Sequence, residues 1–303
     1  MDIDIKKIGT ERRNINTINI DQVSTVEALR MINNEDKTVA YAVEMAILQI
    51  ELLVDALVEK FEIGGRLIYI GAGTSGRIGV LDSVECPPTF GVSTDMVQCV
   101  MAGGEKAFVK AIEGIEDSFT EAVLDLKNIN LNSNDVVVGI AASGRTPYVI
   151  GGLEYAKSIG SITGCITTSP NSVIANLVDY PIEAITGSEP LTGSTRMKSG
   201  TAQKLICNMI TTVSMIKLGK VYENLMIDVQ MNNLKLVKRA ESIVCEITGV
   251  DKKEASKLIS KYKSVKKAIF SNLSGIKDIN QINNLLDKAK GNIRKALEMN
   301  NND

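Results

Sequence analysis

Two stretches of this chain place a short apolar strand directly before a loop of glycine and hydroxyl residues. The first joins residues 66–70 to residues 71–77, and the second joins Val136–Ile140 to residues 141–147. A strand that ends in glycine, serine and threonine and then opens a helix presents backbone N–H groups and hydroxyls to an anion. The repeated arrangement predicts a single phosphate held from two strand ends, which places the candidate site at one edge of a sheet.

Composition and charge narrow the class of protein. The 303 residues can hold one sizeable α/β domain and a smaller one, and 44% hydrophobic with 23% charged residues allows a full core. The 34 Lys and Arg residues nearly balance the 36 Asp and Glu residues, which gives little support to nucleic-acid or membrane-surface binding. The sequence also has no signal-peptide core and no apolar run of transmembrane length. From the charge balance and these two absences together, we expect neither a nucleic acid nor a membrane as a partner.

Cysteine and histidine usage restricts the chemistry. The five cysteines are scattered among mostly apolar neighbours, as reduced core cysteines are, which favours a cytoplasmic location. With no histidine and no cysteine pair, a transition-metal site would need carboxylates alone, so we expect no zinc or other transition metal. Proton transfer is left to Glu, Asp, Lys, Tyr or Cys.

Apolar strands that alternate with helical stretches predict an α/β fold with a doubly wound parallel sheet flanked by helices. Residues 1–22 are polar and predict an extended segment, and Ser24 with Glu27 forms a capping box that begins a short helix. A long helix is expected from about residue 37 to 61, packed on the sheet or on a second subunit by an apolar stripe of Val43, Ile47, Ile50, Val54 and Leu57. Strands are expected at residues 66–70, 96–101, 135–141, 162–168 and 180–185.

A third polar loop, residues 192–201, precedes a helix that is expected to run to about Leu218. Ligands of doubly wound sheets bind beyond the carboxyl ends of the strands, so we expect the three loops to converge there. From about Asn232 lysines become frequent and strand patterns vanish. The predicted domains are therefore a phosphate-binding domain over residues 1–231 and a small helical domain over residues 232–303.

Each feature also has a plainer interpretation. Gly71, Gly73 and Gly76 match the dinucleotide-binding spacing, but the next strand ends without the acidic residue that would hold a ribose. The adjacent hydroxyls of Thr74 and Ser75 suit a phosphomonoester instead. A glycine turn that only packs a helix on a strand is the structural alternative. Basic side chains beside the loops are usually solvated, but convergence predicts that at least one binds the anion: Arg77, Arg145, Arg196 or Lys198.

Glu85, Glu113, Glu116 and Asp117 are candidate acids and bases. Pro87 and Pro88 follow Glu85 and predict the end of its helix, since proline cannot donate a helical hydrogen bond. A carboxyl group held at such a point among apolar neighbours can serve as an acid. By composition alone, these acids are best explained as solvated charges at helix ends, and the residues themselves do not select one of them.

Several longer strings resemble the N-acetylmuramic acid 6-phosphate etherase family, a branch of the sugar-isomerase (SIS) domain proteins. They are ERRN at residues 11–14, IGAGTSGRIGVLDSVECPPTFGV at 70–92, VVVGIAASGRTPYVIGGLEYA at 136–156 and TGSTRMKSGTAQKL at 192–205. The resemblance extends to about residue 230, and the helical tail resembles the family's small C-terminal domain more loosely.

The resemblance implies a cytoplasmic, cofactor-independent lyase that forms a homodimer with its site near the subunit interface. The reaction converts N-acetylmuramic acid 6-phosphate and water into N-acetylglucosamine 6-phosphate and D-lactate, in cell-wall sugar recycling or uptake. Matched to the family motifs, Glu85 is the acid that protonates departing lactate, and Glu116 is the base at C2. The implied substrate-binding residues, with the phosphate on the hydroxyls, are Gly73, Thr74, Ser75, Gly76, Ser143, Gly144, Arg145, Thr146, Ser194, Thr195 and Lys198.

A sugar-phosphate sensor is the alternative from another class, since SIS domains also form sensors and a regulatory protein of glucokinase shares these motifs. A sensor would keep the phosphate loops and could dispense with Glu85 and Glu116. Both are present and no DNA-binding or partner-binding domain is expected, which favours the enzyme. A SIS isomerase is a third alternative, against which the ECPPTF segment favours the etherase.

Overall fold

The computed structural model describes residues 9–110, 112, 114–231 and 234–302. The chain divides into two compact units, Met1–Val84 with Thr94–Thr211, and Glu85–Ser93 with Thr212–Asp303. The predicted boundary at residues 231 and 232 lies about twenty residues further along the chain, and residues 232 and 233 are outside the described ranges. As a boundary between separately folding domains, it stays a prediction.

Within the described residues, the first unit contains a five-stranded, all-parallel sheet of order β2-β1-β3-β4-β5. The strands are β1 Leu67–Gly71, β2 Val97–Met101, β3 Val136–Ile140, β4 Ile162–Thr167 and β5 Tyr180–Glu183. The predicted strands match these bounds to within two residues, and the doubly wound α/β fold is confirmed. Strands β1 and β3 are buried along their whole length, as expected where helices cover both faces.

Helices surround this sheet. They are α1 Thr25–Glu44, α2 Ile47–Glu62, α3 Gly73–Phe90, α4 Gly104–Val109, α5 Phe119–Asn128, α6 Pro147–Ser158, α7 Val173–Leu177 and α8 Lys198–Lys217. A buried apolar cluster joins β1 and β3 to α5 and α6 through residues such as Ile70, Val137, Leu126 and Leu153. This packing fixes the ends of β1 and β3, where the two glycine–hydroxyl loops begin.

The helix predicted over residues 37–61 is in fact two helices. The capping box at Ser24 is confirmed, but the helix that it begins is the 20-residue α1. A turn at Met45 and Ala46 separates α1 from α2, and no glycine or proline marks it in the sequence. The turn rotates the apolar stripe, so Ala46 is buried whereas Ile47, a predicted stripe residue, is 47% exposed.

The N-terminal segment is not extended as predicted. Residues 9–22 form short 3₁₀ helices at Gly9–Glu11 and Ile15–Thr17, followed by turns, and residues 1–8 lie outside the described ranges. Asn14 donates a side-chain hydrogen bond to the Ser188 carbonyl at 3.2 Å. The Thr17 hydroxyl donates to the Pro190 carbonyl at 2.7 Å, so the segment lies against the residues that lead into the third loop.

The second unit contains a small antiparallel pair and a helical region. The strands are β6 Val221–Tyr222 and β7 Leu225–Met226, and the helices are α9 Leu234–Thr248, α10 Lys252–Tyr262, α11 Val265–Ser274, α12 Ile279–Lys288 and α13 Ile293–Asn302. These five helices confirm the predicted helical character of the C-terminal region, and they enclose an apolar core of their own. Across the described ranges, the structure offers no helix whose length and apolarity would let it span a membrane.

Candidate active site

The first loop carries the chain from β1 directly into helix α3. Gly73 opens the helix with φ of +54°, a left-handed conformation that favours glycine. A Cβ on Gly76 would lie 2.7 Å from the Met101 Cγ atom, so only glycine allows this approach to β2. The Gly76 N–H donates the first helical bond, to the Ala72 carbonyl at 3.1 Å. The amides before Gly76 are therefore at the helix N-terminus, where an anion is favoured.

The hydroxyl of Ser75 lies against helix α8. It donates to the Gln203 side-chain oxygen at 2.9 Å, and Gln203 is completely buried. Thr74 lies nearby, because a Cβ on Gly200 would be 3.5 Å from the Thr74 methyl group. The first turns of α3 and α8 are thus in contact, and the structure brings the first predicted loop next to the residues that follow the third.

Arg77 has a structural role in this structure. Its Nε donates to the Phe108 carbonyl at 2.9 Å, and its Nη2 donates to the Ala107 carbonyl at 2.6 Å. These carbonyls lie in the last turn of α4, where a cation also complements the helix dipole. Of the basic candidates, Arg77 therefore stabilises α4 rather than standing free for a ligand.

A cavity of about 230 Å³ connects the first loop to the predicted base. Gly73 and Glu116 both line it, and Glu116 is exposed in the short 3₁₀ helix Ile115–Asp117. The neighbouring Glu113 lies outside the described residues. The rest of the wall is mostly apolar, with Ala72, Met101, Ala102, Ala107, Ile112 and Ile115, but Arg77 also lines the cavity.

The second loop, between β3 and α6, is held by close backbone packing. Gly144 has φ of +64°, and a Cβ there would lie 2.3 Å from the Ser172 Cβ. Its carbonyl accepts the Ile174 N–H at 3.2 Å, which ties the loop to α7. Thr146 is the N-cap residue of α6, and Pro147 occupies the first helical position, which suits proline.

Polar side chains converge in a second cavity, of about 200 Å³, beside this loop. Arg12 and Arg145 line it together with the hydroxyl residues Ser143, Ser169, Ser172 and Ser188. The Ser169 Oγ is buried, and within the described residues it has no hydrogen-bond partner. Two guanidinium groups and an unsatisfied hydroxyl are the groups that recognise a phosphate.

Arg12 and Ser169 were not predicted from the residues themselves. Ser169 follows β4 in the sequence Thr167-Thr168-Ser169, the same hydroxyl-after-strand pattern as Ser143 after β3, and that pattern could have identified it. Arg12 has no comparable local signal, because its position depends on how the N-terminal segment folds back. The two cavities share no lining residue, so a single phosphate gripped by both loops stays a prediction.

Lys198 is committed to a buried ion pair. Its ammonium group lies 2.7 Å from the Glu35 Oε2 and also donates to the Ser188 carbonyl at 3.2 Å. Burial would raise the pKa of Glu35, but hydrogen bonds from Lys198 and Asn16 outweigh it, and the pKa lies below its ordinary value. Because this ammonium group already has buried partners, the position of Lys198 does not support its predicted contact with the substrate.

The helix N-terminus behind the third loop is also occupied. The Glu189 carboxylate accepts the Lys198 and Ser199 backbone N–H groups at 2.8 and 2.9 Å, and the Ser199 hydroxyl at 2.7 Å. Glu189 therefore caps α8 from nine residues upstream, a contact that the sequence did not predict. Ser194 and Thr195 are half-buried in the turns before the helix, and Arg196 is exposed.

Glu85 belongs to the second unit, and its helix does not end where we predicted. Pro87 and Pro88 lie inside α3, which continues to Phe90. The fixed φ of proline is compatible with a helix, and the last turn closes with the Gly91 N–H donating to the Pro87 carbonyl at 2.9 Å. Glu85 is exposed rather than held among apolar neighbours.

The fold and the hydroxyl-rich loops define a SIS-domain protein. A model of the SIS domain matches residues 117–213, and one of the glucokinase regulatory protein N-terminal SIS domain matches residues 49–157. A solved structure from Bacteroides fragilis, proposed to be a phosphosugar isomerase involved in capsule formation, has a similar fold. Its TM-score is 0.50 at 21% identity, over 66% of this chain and 95% of its own.

Longer similarity identifies the branch. The N-acetylmuramic acid 6-phosphate etherase of Clostridium botulinum is 55% identical to this chain over 97% of both chains. That of Clostridium beijerinckii is 53% identical, over 98% of this chain and 97% of its own. The chain therefore belongs to the N-acetylmuramic acid 6-phosphate etherase family. The resemblance seen in the sequence is confirmed, and an enzyme is favoured over a sensor.

Proposed function

We propose that this chain is a lyase that cleaves the D-lactyl ether of N-acetylmuramic acid 6-phosphate. The products are N-acetylglucosamine 6-phosphate and D-lactate, and one water molecule is consumed. The observation that carries the proposal is the 55% identity to an etherase across 97% of the chain. Gly73 and Glu116, both expected at the site, also line one cavity, which supports a ligand there.

The proposed chemistry needs two carboxyl groups and no cofactor. In the open-chain sugar, the C1 aldehyde acidifies the C2 proton, and the Glu116 carboxylate removes it. The C3–O bond then breaks, and Glu85 protonates the departing lactate oxygen. Water adds to the resulting enal at C3. Acid–base catalysis by two glutamates suits a chain that contains no histidine.

The phosphate is proposed to bind between the two loops, against the Ser75 hydroxyl of the first loop and against Arg12, Arg145, Ser143 and Ser169 of the cavity beside the second, where two arginines balance its charge. The remaining predicted contacts stay part of the proposal: Gly73, Thr74, Gly76, Gly144, Thr146, Ser194 and Thr195. Lys198 is omitted because Glu35 binds its ammonium group.

A homodimer is part of the proposal. Tyr41 near the end of α1, Met45 in the turn that follows it, and Leu48 and Leu52 in α2 are large apolar side chains, and each is at least 60% exposed. Exposed apolar side chains this close together in the chain are the kind of surface that a second subunit covers. We place the enzyme in the cytoplasm, in cell-wall sugar recycling or uptake, because the proposed substrate is phosphorylated.

Lactate release from purified protein and N-acetylmuramic acid 6-phosphate tests the proposal. We expect release with this substrate and very little with the unphosphorylated sugar. A protein that binds the phosphorylated sugar tightly without releasing lactate would instead be a sensor.

The two glutamates can be separated by proton NMR in deuterated buffer. Glu116→Gln should lose both C2 deuterium exchange and lactate release by about 10²–10⁴-fold. Glu85→Gln should keep C2 exchange while releasing lactate slowly. Asp117→Asn, an exposed acid beside Glu116, is the matched control and should retain activity. If Glu85→Gln loses exchange and Glu116→Gln keeps it, the two roles are reversed.

A further inference from the structure

Gln203 has one satisfied and one unsatisfied side-chain atom. Its Oε1 accepts the Ser75 hydroxyl at 2.9 Å, whereas its Nε2 is buried and, within the described residues, has no hydrogen-bond partner. Gln203 is 0% exposed, so the amide does not reach bulk solvent. A buried amide donor without a partner is costly and rare, and it calls for an explanation.

The direction of the Ser75 hydroxyl matters for binding an anion. A serine hydroxyl has one proton, and in this arrangement Gln203 receives it. An ionised phosphate oxygen accepts hydrogen bonds and cannot donate them, so Ser75 has no proton to offer it while Ser75 donates to Gln203. The terminal torsion of a glutamine amide is broad and two-fold, so a half-turn exchanges its oxygen and nitrogen. After that rotation of the amide, Nε2 donates to the Ser75 Oγ, and the Ser75 hydroxyl hydrogen is free to form a hydrogen bond with a ligand.

We propose that Gln203 is a positioning residue that directs the Ser75 hydroxyl proton toward the bound phosphorylated sugar. The amide holds the proton in the ligand-free chain and, turned over, donates to the Ser75 oxygen while the hydroxyl donates to the ligand. Because a hydroxyl that accepts a hydrogen bond becomes a better donor, the turned amide also strengthens that contact. The inference rests on the proposed function, in which Ser75 contacts the phosphorylated substrate.

The alternative is a bond that only packs α3 against α8. Gln203→Glu separates the two, because a carboxylate accepts the Ser75 proton and cannot return it. We expect KM for the phosphorylated substrate to rise about 10-fold relative to the wild type. As the pH falls and the new carboxyl group is protonated, KM should return toward the wild-type value at the same pH. A packing bond would show no such recovery, and an unchanged KM in a folded Gln203→Glu protein would overturn the inference.

A double-mutant cycle covers the case in which the buried carboxylate prevents folding. Gln203→Met has a similar volume and makes no directed hydrogen bond. It should raise KM in the wild-type background by several-fold and add nothing in the Ser75→Ala background. Equal effects in both backgrounds would mean that Gln203 does not act through Ser75.

Inorganic phosphate is a probe whose readout does not depend on turnover. Its dissociation constant for each variant should follow the same order as KM. If the dissociation constants for phosphate follow this order across the variants but the wild type releases no lactate, the proposed lyase function fails and the role of Gln203 stands. If lactate is released and Gln203→Met leaves KM and phosphate binding unchanged, the function stands and the role of Gln203 fails.

Discussion

The loops after β1 and β3 share one sequence pattern but use their side chains differently. Both contain a Gly-Arg pair after the strand, Gly76-Arg77 and Gly144-Arg145. Arg77 is bound to the carbonyls at the end of α4, whereas Arg145 is exposed and lines the cavity with Arg12. Arg77 also lines a cavity, the one that contains Glu116, but backbone carbonyls already hold its guanidinium group. The pattern locates both loops, and the tertiary contacts decide how far each arginine is already engaged.

The largest expected difference concerns the two left-handed glycines. Gly144→Ala adds a Cβ 2.3 Å from the Ser172 Cβ, so backbone strain and overpacking should together lower the free energy of unfolding by about 2–6 kcal/mol. Gly73→Ala meets nothing within 4 Å and should cost only the strain, about 1–2 kcal/mol. Urea unfolding of both variants measures the difference, and equal losses would show that the loops are packed alike.

The two arginines provide the next test. Arg145→Gln should raise KM about 10- to 100-fold, because the charged hydrogen bond between Arg145 and the phosphate is lost. Its stability should change little, because Arg145 is exposed. Arg77→Gln should lower the free energy of unfolding by about 1–3 kcal/mol and change KM by no more than about 2-fold. Steady-state kinetics and thermal unfolding of the pair decide this. A larger rise in KM for Arg77→Gln than for Arg145→Gln would contradict the contrast between the loops.

A smaller effect concerns the helices that the loops open, each of which is held by a tyrosine–aspartate hydrogen bond. In α3, Asp82 accepts from the Tyr69 hydroxyl at 3.1 Å and from the Asn208 amide at 2.6 Å. In α6, the Tyr148 hydroxyl donates to the Asp125 Oδ2 at 2.7 Å. Asp82 is buried, and burial raises its pKa despite its hydrogen bonds.

The raised pKa of Asp82 has a definite sign for stability. The folded chain holds this proton more tightly than the unfolded chain, so the contribution is lost as pH rises from about 4 through the raised pKa. Asp82→Asn cannot titrate and should therefore gain stability relative to the wild type as pH rises, by at most about 1.4 kcal/mol per pH unit. Urea unfolding at pH 4, 5.5 and 7 measures this, with the exposed Asp117→Asn as control. A difference that stays constant with pH would refute the assignment.

Strands β1 and β3 were predictable because they are fully buried, continuous apolar runs that end at glycine–hydroxyl loops. Strands β2 and β5, at the edges of the sheet, are only partly buried and gave a weaker pattern. The break at Met45 and Ala46 was not predictable, since an apolar stripe continues across it and no helix-breaking residue is present. Pro87 and Pro88 do not end α3, because a proline removes a hydrogen-bond donor without preventing one further helical turn. Helix boundaries thus depended on backbone hydrogen bonds that the sequence does not encode locally.

The sequence was enough to locate the loops of the candidate site, but not to decide which of their side chains can reach a ligand. Lys198 has the charge and position of a phosphate ligand in the sequence, yet its partner Glu35 is 163 residues away. A pairing over that distance leaves no local pattern. The same holds for Arg12, which reaches the cavity only because the N-terminal segment folds back.

Glu189 gives helix α8 an anion of its own. This carboxylate already accepts hydrogen bonds from two backbone amides and from the Ser199 hydroxyl. These are the groups with which a helix N-terminus binds an anionic ligand. Replacing Glu189 would leave these buried donors without an acceptor, so the same carboxylate that closes the start of α8 to ligands also stabilises the helix. Where a ligand can bind at this edge of the sheet therefore depends partly on which helix starts are already occupied by the chain's own side chains.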